Sequence, residues 1–387
     1  MKNPYLAIYH DEKLLATAKS KVRIKPASAG EFLSFVKLNG NGTFESKKYR
    51  GDIVVLQQDG ALGVINELSV EEYISGVVPK EIPSSYPEET LKAMAVIART
   101  FALSHRARHA SEGYDLCSTV HCQAYGGVLA EDFSSSKAVE ETTGEVILYQ
   151  GEPADITYHS TCGGVGENIE RVWDAHPCPY LVSVYDSPFN YSGNLNLSGE
   201  DDFKKFIDTP PPSFCKDSSR FRWKEEYTIS QLQELFNKSI PVLLRDGKAF
   251  QKEGVSQLIV KPQNNNQIGE LYSIKVAERS PRGRVLKLEI NTSTGVYYAE
   301  KDAIRWLFSG GEISLGGLRS TLFYIEETGS GAGRKYVFHG GGWGHGVGMC
   351  QEGAFGMAKS GYNYIEIIKH YFPGVKVGGD KNGNKNE

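Results

Sequence analysis

The chain has 387 residues, of which 40% are hydrophobic and 23% charged, a balance typical of a globular protein and not of a disordered one. The net charge of −4 argues against a dominant nucleic-acid or anionic-membrane surface, because such surfaces usually need an excess of basic residues. Six cysteines are too few for a disulfide scaffold. No apolar run approaches the ~18–20 residues of a membrane span, and the first residues contain no signal-peptide core.

The first 67 residues are predicted to be β-rich, with short strands separated by turns at Asn39-Gly40 and Asp59-Gly60. Ser69 and Ser85 each begin an S-x-x-E pattern, the capping box that starts a helix. The second helix is expected to be long, roughly 86–109, because its apolar residues recur at three- and four-residue steps.

Two prolines flank the segment between these helices. Pro79 and Pro83 lie on either side of Glu81, and proline fixes φ and disfavours helix in the residue before it. We therefore expect Glu81 to lie on a stiff, extended connector.

The remainder of the chain alternates between strands and helices. Residues 144–160 predict a hairpin that turns near Gln150-Gly151, and strands return between 256 and 300 with turns at 264–266 and 281–283. Residues 339–372 combine a glycine loop with two short helices.

This alternation predicts an α+β fold, with antiparallel strands and hairpins around a long helix and a C-terminal helical pair. The predicted organisation is an N-terminal β-rich region, a catalytic core with a candidate metal loop, an irregular insertion or lid, a C-terminal β-rich part with the glycine loop, and a disordered tail, over residues 1–67, 68–185, 186–250, 251–377 and 378–387.

Glu81 is the first candidate for chemistry. A carboxyl group on a rigid segment can act as a general acid and base if apolar neighbours such as Val78 and Ile82 partly bury it. The alternative is an ordinary solvated glutamate.

A second candidate is the density of thiols and imidazoles in Cys117-Ser118-Thr119-Val120-His121-Cys122, with His105 and His109 four residues apart upstream. A helix would place those two histidines on one face, and Cys with His suits tetrahedral Zn²⁺. A Cys117–Cys122 disulfide, or thiols packed as small apolar groups, would also explain the pattern.

The third candidate is the glycine loop, in which His339, Trp343 and His345 accompany six glycines between 340 and 348. These side chains could line a sugar site or be core residues in a tight loop. The loop lacks the phosphate-binding G-x-x-x-x-G-K-[ST] pattern. Cys162 and Cys350 lie near histidines, but no cysteine-protease signature surrounds either one.

Four blocks stand out along the chain, namely VINELSVEEYISGVVPKEIPSSYPEETLKAMAVIARTFAL, YDLCSTVHCQAYGG, TYHSTCGGVGENIERVW and HGGGWGHGVGMCQEGAFGMAKSGYNYIEIIKHYFPG. In this order, and over about residues 48–375, they resemble the stage II sporulation protein D (SpoIID)/LytB family. The resemblance implies a peptidoglycan lytic transglycosylase that cleaves the β-1,4 bond between MurNAc and GlcNAc. It also implies a preference for peptide-stripped glycan strands, and a location in the cell envelope, outside the cytoplasm.

The family's catalytic glutamate corresponds to Glu81, which the resemblance makes the general acid and base. Zinc binding by some members implies a structural zinc site of Cys117, His121 and Cys122, with His109 as the fourth ligand and His159 or Cys162 in reserve. Nine further residues are expected to contact sugar or support the site, with a core role as the alternative, namely Arg99, Gln123, Tyr125, His159, Ser160, Trp173, His339, Trp343 and His345.

Two rival functions remain open. LytB-type members are regarded as amidase enhancers, so the chain could bind glycan and assist an N-acetylmuramoyl-L-alanine amidase without cleaving the glycan itself. The chain could also be a zinc amidase that releases stem peptides. The expected partners are therefore glycan strands and an amidase, with no nucleic acid and no membrane segment.

Overall fold

The computed structural model describes residues 6–10, 13–28, 30–38, 44–58, 61–188, 195–247, 249–251, 268–310 and 317–379. The chain forms two compact units, one of Met1–Ile156 with Lys376–Glu387 and one of Thr157–Val375. Helices and antiparallel sheets occur in both, so the predicted α+β class is confirmed. None of the domain borders predicted from the sequence coincides with a border between these two units. The predicted domain borders stay predictions.

The first unit contains nine strands and three helices among its described residues before the chain enters the second unit. They are β1 (Leu6–His10), β2 (Lys13–Ala18), β3 (Lys21–Ile24), β4 (Leu33–Leu38), β5 (Phe44–Tyr49), β6 (Asp52–Gln58), β7 (Ala61–Glu67), α1 (Val70–Glu81), α2 (Glu88–Ser104), α3 (Phe133–Glu141), β8 (Glu145–Tyr149) and β9 (Glu152–Pro153).

The second unit follows in the order β10 (Tyr158–His159), α4 (Ile169–Val172), α5 (Glu200–Asp208), β11 (Arg222–Thr228), α6 (Ile229–Arg245), β12 (Ala249–Gln251), β13 (Leu271–Arg279), β14 (Val285–Thr292), β15 (Gly295–Glu300), α7 (Ala303–Trp306), β16 (Phe323–Thr328), β17 (Lys335–Gly341), β18 (Met349–Cys350), α8 (Gln351–Lys359) and α9 (Tyr364–Tyr371). The last strand, β19 (Lys376–Gly379), belongs to the first unit.

Sheets of the first unit are small and antiparallel. The strand orders are β1-β2, β4-β5, β3-β6-β7 and β19-β8-β9. The β4-β5 and β6-β7 pairs are the hairpins expected at the Asn-Gly and Asp-Gly turns, although those turn residues lie outside the described residues. The hairpin at Gln150-Gly151 is confirmed, with φ of 54° and 93° at its two turn residues.

The two helices beside Glu81 begin differently. Ser69 and Glu72 form the capping box predicted for α1, whereas α2 starts after Pro87 without a side-chain cap, so the second predicted box is wrong. Helix α2 packs against α1, α3 and β8 and buries most of its side chains, which makes it the centre of the first unit.

Helix α2 also ends at Ser104, five residues before the predicted end. Ala107 adopts a left-handed φ of 63° and its backbone N–H donates to the Asp115 carboxylate. The chain turns there, so His105 and His109 do not share a helical face, contrary to the prediction.

In the second unit, α6 packs with the sheets β12-β15-β14-β13 and β11-β17-β16 around one core. The side chains that α6 buries recur at helical spacing, namely Leu232, Phe236, Ile240 and Leu243. The predicted turn at 281–283 joins β13 to β14 and places Gly283 at a φ of 88°. The predicted turn at 264–266 lies outside the described residues.

At the C-terminal end, α8 and α9 are the predicted helical pair. Gly378 and Gly379, the first residues of the predicted tail, belong to β19, which pairs with β8, and residues 380–387 lie outside the described residues. In the part of the chain that the structure describes, no helix is both long and apolar enough to cross a bilayer.

Candidate active site and metal centre

Glu81 is the last residue of α1. The prediction that it lies on an extended connector is therefore wrong. Pro79 sits inside the final turn of the helix, where the capping box and the buried residues Ile74, Val77 and Val78 hold the helix despite the lost backbone hydrogen bond. The second proline acts as expected: Ile82, just before Pro83, is extended, with φ −136° and ψ 152°.

The Glu81 carboxyl group is half-buried, and its Oε1 atom accepts a hydrogen bond of 2.8 Å from the backbone N–H of Ala124. This bond ties the end of α1 to the loop that follows the cysteines. A carboxyl group held in one orientation and partly shielded from water has the surroundings that a general acid and base requires.

Tyr73 lies on the same face of α1 as Glu81, eight residues earlier. Its hydroxyl is buried and has no hydrogen-bond partner among the described residues. Burial, and then the charges of Cys122 and Glu81, raise the pKa of Tyr73, which stays a neutral phenol. Tyr73 was not predicted from the sequence, because it shares a face with Glu81 only if the helix continues through Pro79.

The four predicted metal ligands lie together after α2. The ligand atoms of His109, Cys117, His121 and Cys122 are all within 4.8 Å of one another. His121 Nδ1 is 3.7 Å from the sulfur of Cys117 and 3.7 Å from that of Cys122, and His109 Nε2 is 3.4 Å from Cys122 Sγ.

These distances suit a tetrahedral zinc ion. Zn–S bonds of about 2.3 Å and Zn–N bonds of about 2.0 Å place neighbouring ligand atoms roughly 3.3–3.8 Å apart. His109 Nδ1 also bonds the Glu112 carboxylate at 2.7 Å, and the Tyr114 hydroxyl donates to the same carboxylate at 2.9 Å. Carboxylates commonly orient zinc-binding histidines in this way, so the donor set and its support both fit zinc.

The surroundings of the Cys117 thiol favour the thiolate form. Burial raises its pKa, but hydrogen bonds from Thr119 and His121 outweigh burial and lower the pKa to about 6. The thiolate, which is the form that binds metal, therefore predominates at neutral pH.

Three predicted sugar-contacting residues of the first unit have structural partners. Arg99 is 1% exposed and forms a bidentate ion pair with Glu71 at 2.6 and 2.8 Å. Gln123 is fully buried and donates to the Ala98 carbonyl, and the Tyr125 hydroxyl donates to Asn66. These contacts stabilise the fold around α1 and α2, and a role of the three residues in sugar contact stays a prediction.

The remaining predicted residues lie in the second unit. His159, Trp173 and His345 form one aromatic cluster, with ring centroids 5.3 and 4.7 Å from that of His345. The His345 ring is held by the Tyr158 carbonyl and the Val347 N–H, and burial, followed by the charge of His159, lowers its pKa well below the usual value.

Trp343 is the exposed member of the set, with 41% of its surface accessible. Arg220 and Arg319 both lie over its ring, 5.0 and 5.2 Å from the centroid, and Arg220 donates to the Ser160 hydroxyl at 2.8 Å. His339 lies elsewhere on β17, stacked on Tyr324 and bonded to Glu326.

A second group of metal-ligand side chains lies in this unit. Cys162, Asp186, Cys215 and Cys350 are all buried, and their ligand atoms lie within 4.8 Å of one another. Cys162 therefore belongs to this group and not to the cluster around His121. All six cysteines of the chain are free thiols, so the Cys117–Cys122 disulfide is not formed.

Comparison with known proteins identifies relatives for both parts of the chain. The model of the SpoIID family, described as stage II sporulation protein, matches residues 58–149, the segment that contains Glu81 and the four residues around His121. A domain of unknown function, DUF8618, matches residues 167–261 and 243–348.

Three curated proteins are similar over most of this chain. The amidase enhancer of Bacillus subtilis is 29% identical over 308 residues, which are 79% of this chain and 40% of that protein. Stage II sporulation protein D of the same organism is 26% identical, over 81% of this chain and 75% of its own length. An uncharacterized protein of Brachyspira hyodysenteriae is 26% identical over 97% of this chain and 88% of its own length. The resemblance found in the sequence is thus confirmed: residues 58–149 match the SpoIID family model, and most of the chain is similar to an amidase enhancer and to a stage II sporulation protein D.

Proposed function

We propose that this protein acts on the bacterial cell wall as a peptidoglycan lytic transglycosylase, with Glu81 as its general acid and base. The observation that supports this assignment most directly is the Ala124 N–H bond to Glu81 Oε1. This bond holds the carboxyl group at the end of α1, in the family block where the catalytic glutamate is expected. Its location would be the cell envelope, outside the cytoplasm.

The reaction needs a single carboxyl group. Protonated Glu81 donates its proton to the glycosidic oxygen as the bond from MurNAc C1 to that oxygen breaks, and GlcNAc leaves with a free 4-hydroxyl. Glu81, now ionised, accepts the proton of the MurNAc C6 hydroxyl while O6 bonds to C1. The product is a 1,6-anhydro ring, Glu81 is protonated again, and no water is consumed, whereas a hydrolase normally uses two carboxyl groups.

The cluster of His109, Cys117, His121 and Cys122 would hold a structural zinc ion. Zinc would supply a cross-link that fixes the loop after α2, which stabilises the folded state when the metal is bound. Ala124 lies two residues beyond Cys122, so fixing this loop also fixes the N–H donor to Glu81. The four ligands thus act as positioning residues for the carboxyl group.

The test is mass spectrometry of peptide-free glycan strands after incubation with the full chain. We expect products that end in 1,6-anhydro-MurNAc, and their loss in Glu81→Gln. Glu140→Gln is the matched control, because Glu140 is an exposed glutamate on α3 of the same unit. Reducing-end products would make the protein a hydrolase and overturn the proposal.

The second candidate is a glycan-binding protein that assists an amidase, which the name of the amidase enhancer relative favours. It predicts glycan binding without any cleavage, together with faster peptide release when an N-acetylmuramoyl-L-alanine amidase is added. A zinc amidase would instead release stem peptides on its own.

A further inference from the structure

The buried cluster of Cys162, Asp186, Cys215 and Cys350 is assembled from four separate segments of the second unit. Strands β10 and β18 pair in parallel, with His159 opposite Cys350, which brings Cys162 to the start of α8. Cys215 joins them because its backbone N–H donates to Asp186 Oδ2 at 2.9 Å. Each of the four residues is at most 2% exposed.

Backbone N–H groups point at two of the sulfurs. Cys350 Sγ accepts from the N–H groups of Cys162 and Gly353, each at 3.2 Å, and Cys162 Sγ accepts from Gly164 at 3.3 Å. Cys350 is also the N-cap of α8, a helix of nine residues. N–H donors and a helix N-terminus both favour a negatively charged sulfur, and the thiolate is the form of cysteine that binds metals.

The Asp186 carboxylate is also fixed by hydrogen bonds. Tyr371 donates its hydroxyl proton to Asp186 Oδ1, the kind of supporting bond that orients a metal-binding carboxylate. Gly353 is required for this approach, because a Cβ atom there would collide with the Asp186 carboxylate and the Tyr371 hydroxyl.

Two guanidinium groups lie beside the segment that contains Cys162. Arg222 donates to the Gly163 carbonyl at 2.9 Å, and Arg284, itself 1% exposed, lies 3.5 Å from the Cys162 carbonyl. Burying charge without compensation is costly. Three thiolates and one carboxylate would carry four negative charges, two of which a divalent cation would balance. Arg222 and Arg284 add positive charge beside the cluster, although Arg284 also interacts with the buried Glu167 carboxylate.

The spacing favours a metal over a disulfide. The sulfurs of Cys162 and Cys215 are 3.6 Å apart, far beyond the ~2.05 Å of an S–S bond but within the ~3.3–3.8 Å expected between ligands of tetrahedral zinc. A disulfide between any two of the cysteines would also leave the third thiol and Asp186 unexplained. We propose that Cys162, Asp186, Cys215 and Cys350 bind one Zn²⁺ ion, which joins β10, the turn at Cys215 and the start of α8.

The test is the zinc content of the full chain, purified in a reducing buffer and measured by inductively coupled plasma mass spectrometry. Relative to the wild type, Cys350→Ser and Asp186→Asn should each lose about one zinc ion per chain. The matched control is Cys178→Ser, because Cys178 lies outside both clusters and should keep the full zinc content. Far-UV circular dichroism identifies which variants are folded.

Two further measurements keep this site apart from the one around His121. A Cys117→Ser/Cys122→Ser variant should retain the zinc ion that Cys350→Ser loses. This comparison measures zinc content and does not depend on enzymatic activity. If Cys350→Ser does not fold, the denatured wild type is titrated for thiols, and six free thiols are expected with zinc released. A wild type with only four thiols, bound iron in place of zinc, or a Cys117→Ser/Cys122→Ser variant that contains no metal would each overturn the proposal.

Discussion

Glu81 and Ala124 are joined by a hydrogen bond of 2.8 Å from the backbone N–H to the carboxylate, and Ala124 lies two residues beyond Cys122. This hydrogen bond therefore fixes the end of α1 to the loop that contains Cys117 and Cys122. If Glu81 is the acid and base, its orientation depends on that loop, and the loop depends on what holds Cys117, His121 and Cys122 together.

Glu81→Asp tests the importance of orientation. Aspartate keeps the acid but is shorter by one methylene group, so its carboxyl group moves away from the Ala124 N–H. A displacement of about 1 Å can cost 10²-fold in rate, and we expect the formation of anhydro products to fall by about that factor. Initial rates on peptide-free glycan measure it. Full activity in Glu81→Asp would mean that the Ala124 bond does not matter.

Glu112→Gln tests the metal site from outside its ligand set. The Glu112 carboxylate bonds His109 Nδ1 at 2.7 Å, and loss of such a supporting bond typically weakens metal binding 10–100-fold. Competition with a zinc chelator of known affinity measures the change. Glu152→Gln serves as the control, because Glu152 is exposed at the start of β9, and equal zinc affinity in the two variants would contradict the assignment.

The sequence predicted that Cys117, His121 and Cys122 lie together because they fall within six residues, and His109 does lie beside them. The metal itself stays a prediction, and the helical relation between His105 and His109 was wrong. Ala107 takes a left-handed conformation, and the alanine itself gives no signal for that turn. Here the loop from His109 to Cys122 overrides the local preference for helix.

The cluster around Cys350 could not be found in this way. Its members come from positions 162, 186, 215 and 350, and only the parallel pairing of β10 with β18 brings the first and last together. The helix through Pro79 was missed for a related reason, since packing of Val77 and Val78 in the core compensates for a hydrogen bond that local rules treat as decisive.

Arg99→Ala separates a structural arginine from a sugar-binding one. Arg99 is 1% exposed, whereas Glu71, its bidentate partner, is 30% exposed. Water can reach the carboxylate left behind, so the cost should lie below that of a fully buried pair, at about 1.5–3 kcal/mol of unfolding free energy. We expect a loss of stability of that size in chemical denaturation and an unchanged KM for glycan at a temperature where the variant is folded. A raised KM with wild-type stability would instead make Arg99 a sugar contact.

His345 should make stability depend on pH. Neutral imidazole can donate from Nε2 to the Tyr158 carbonyl and accept the Val347 N–H at Nδ1, and burial lowers its pKa in the folded state. Below the unfolded value of about 6.5 the unfolded chain binds a proton that the folded chain does not. Stability contributed by this histidine is therefore present above pH ~6.5 and is lost as the pH falls, by about 1.4 kcal/mol per pH unit.

The measurement for His345 is the difference in unfolding free energy between wild type and His345→Gln at pH 7.5 and pH 5. The difference should shrink at the lower pH, since glutamine cannot take up the proton. His176→Gln, at an exposed position, should leave the pH dependence of the wild type unchanged. An identical pH profile for wild type and His345→Gln would exclude His345 as its source.

Trp343→Ala tests glycan binding in the second unit. Trp343 is 41% exposed and lies beneath Arg220 and Arg319, so its ring offers an apolar face where burial against a sugar would be favourable. We expect glycan affinity to fall about tenfold, or ~1.4 kcal/mol, while unfolding free energy changes by no more than about 0.5 kcal/mol, as for other surface positions. Tyr272→Ala is the control, because Tyr272 is an aromatic residue of the same unit that is 46% exposed. If both variants bind glycan like the wild type, Trp343 is not part of the sugar-binding surface, and the exposed ring and its two arginines serve some other contact.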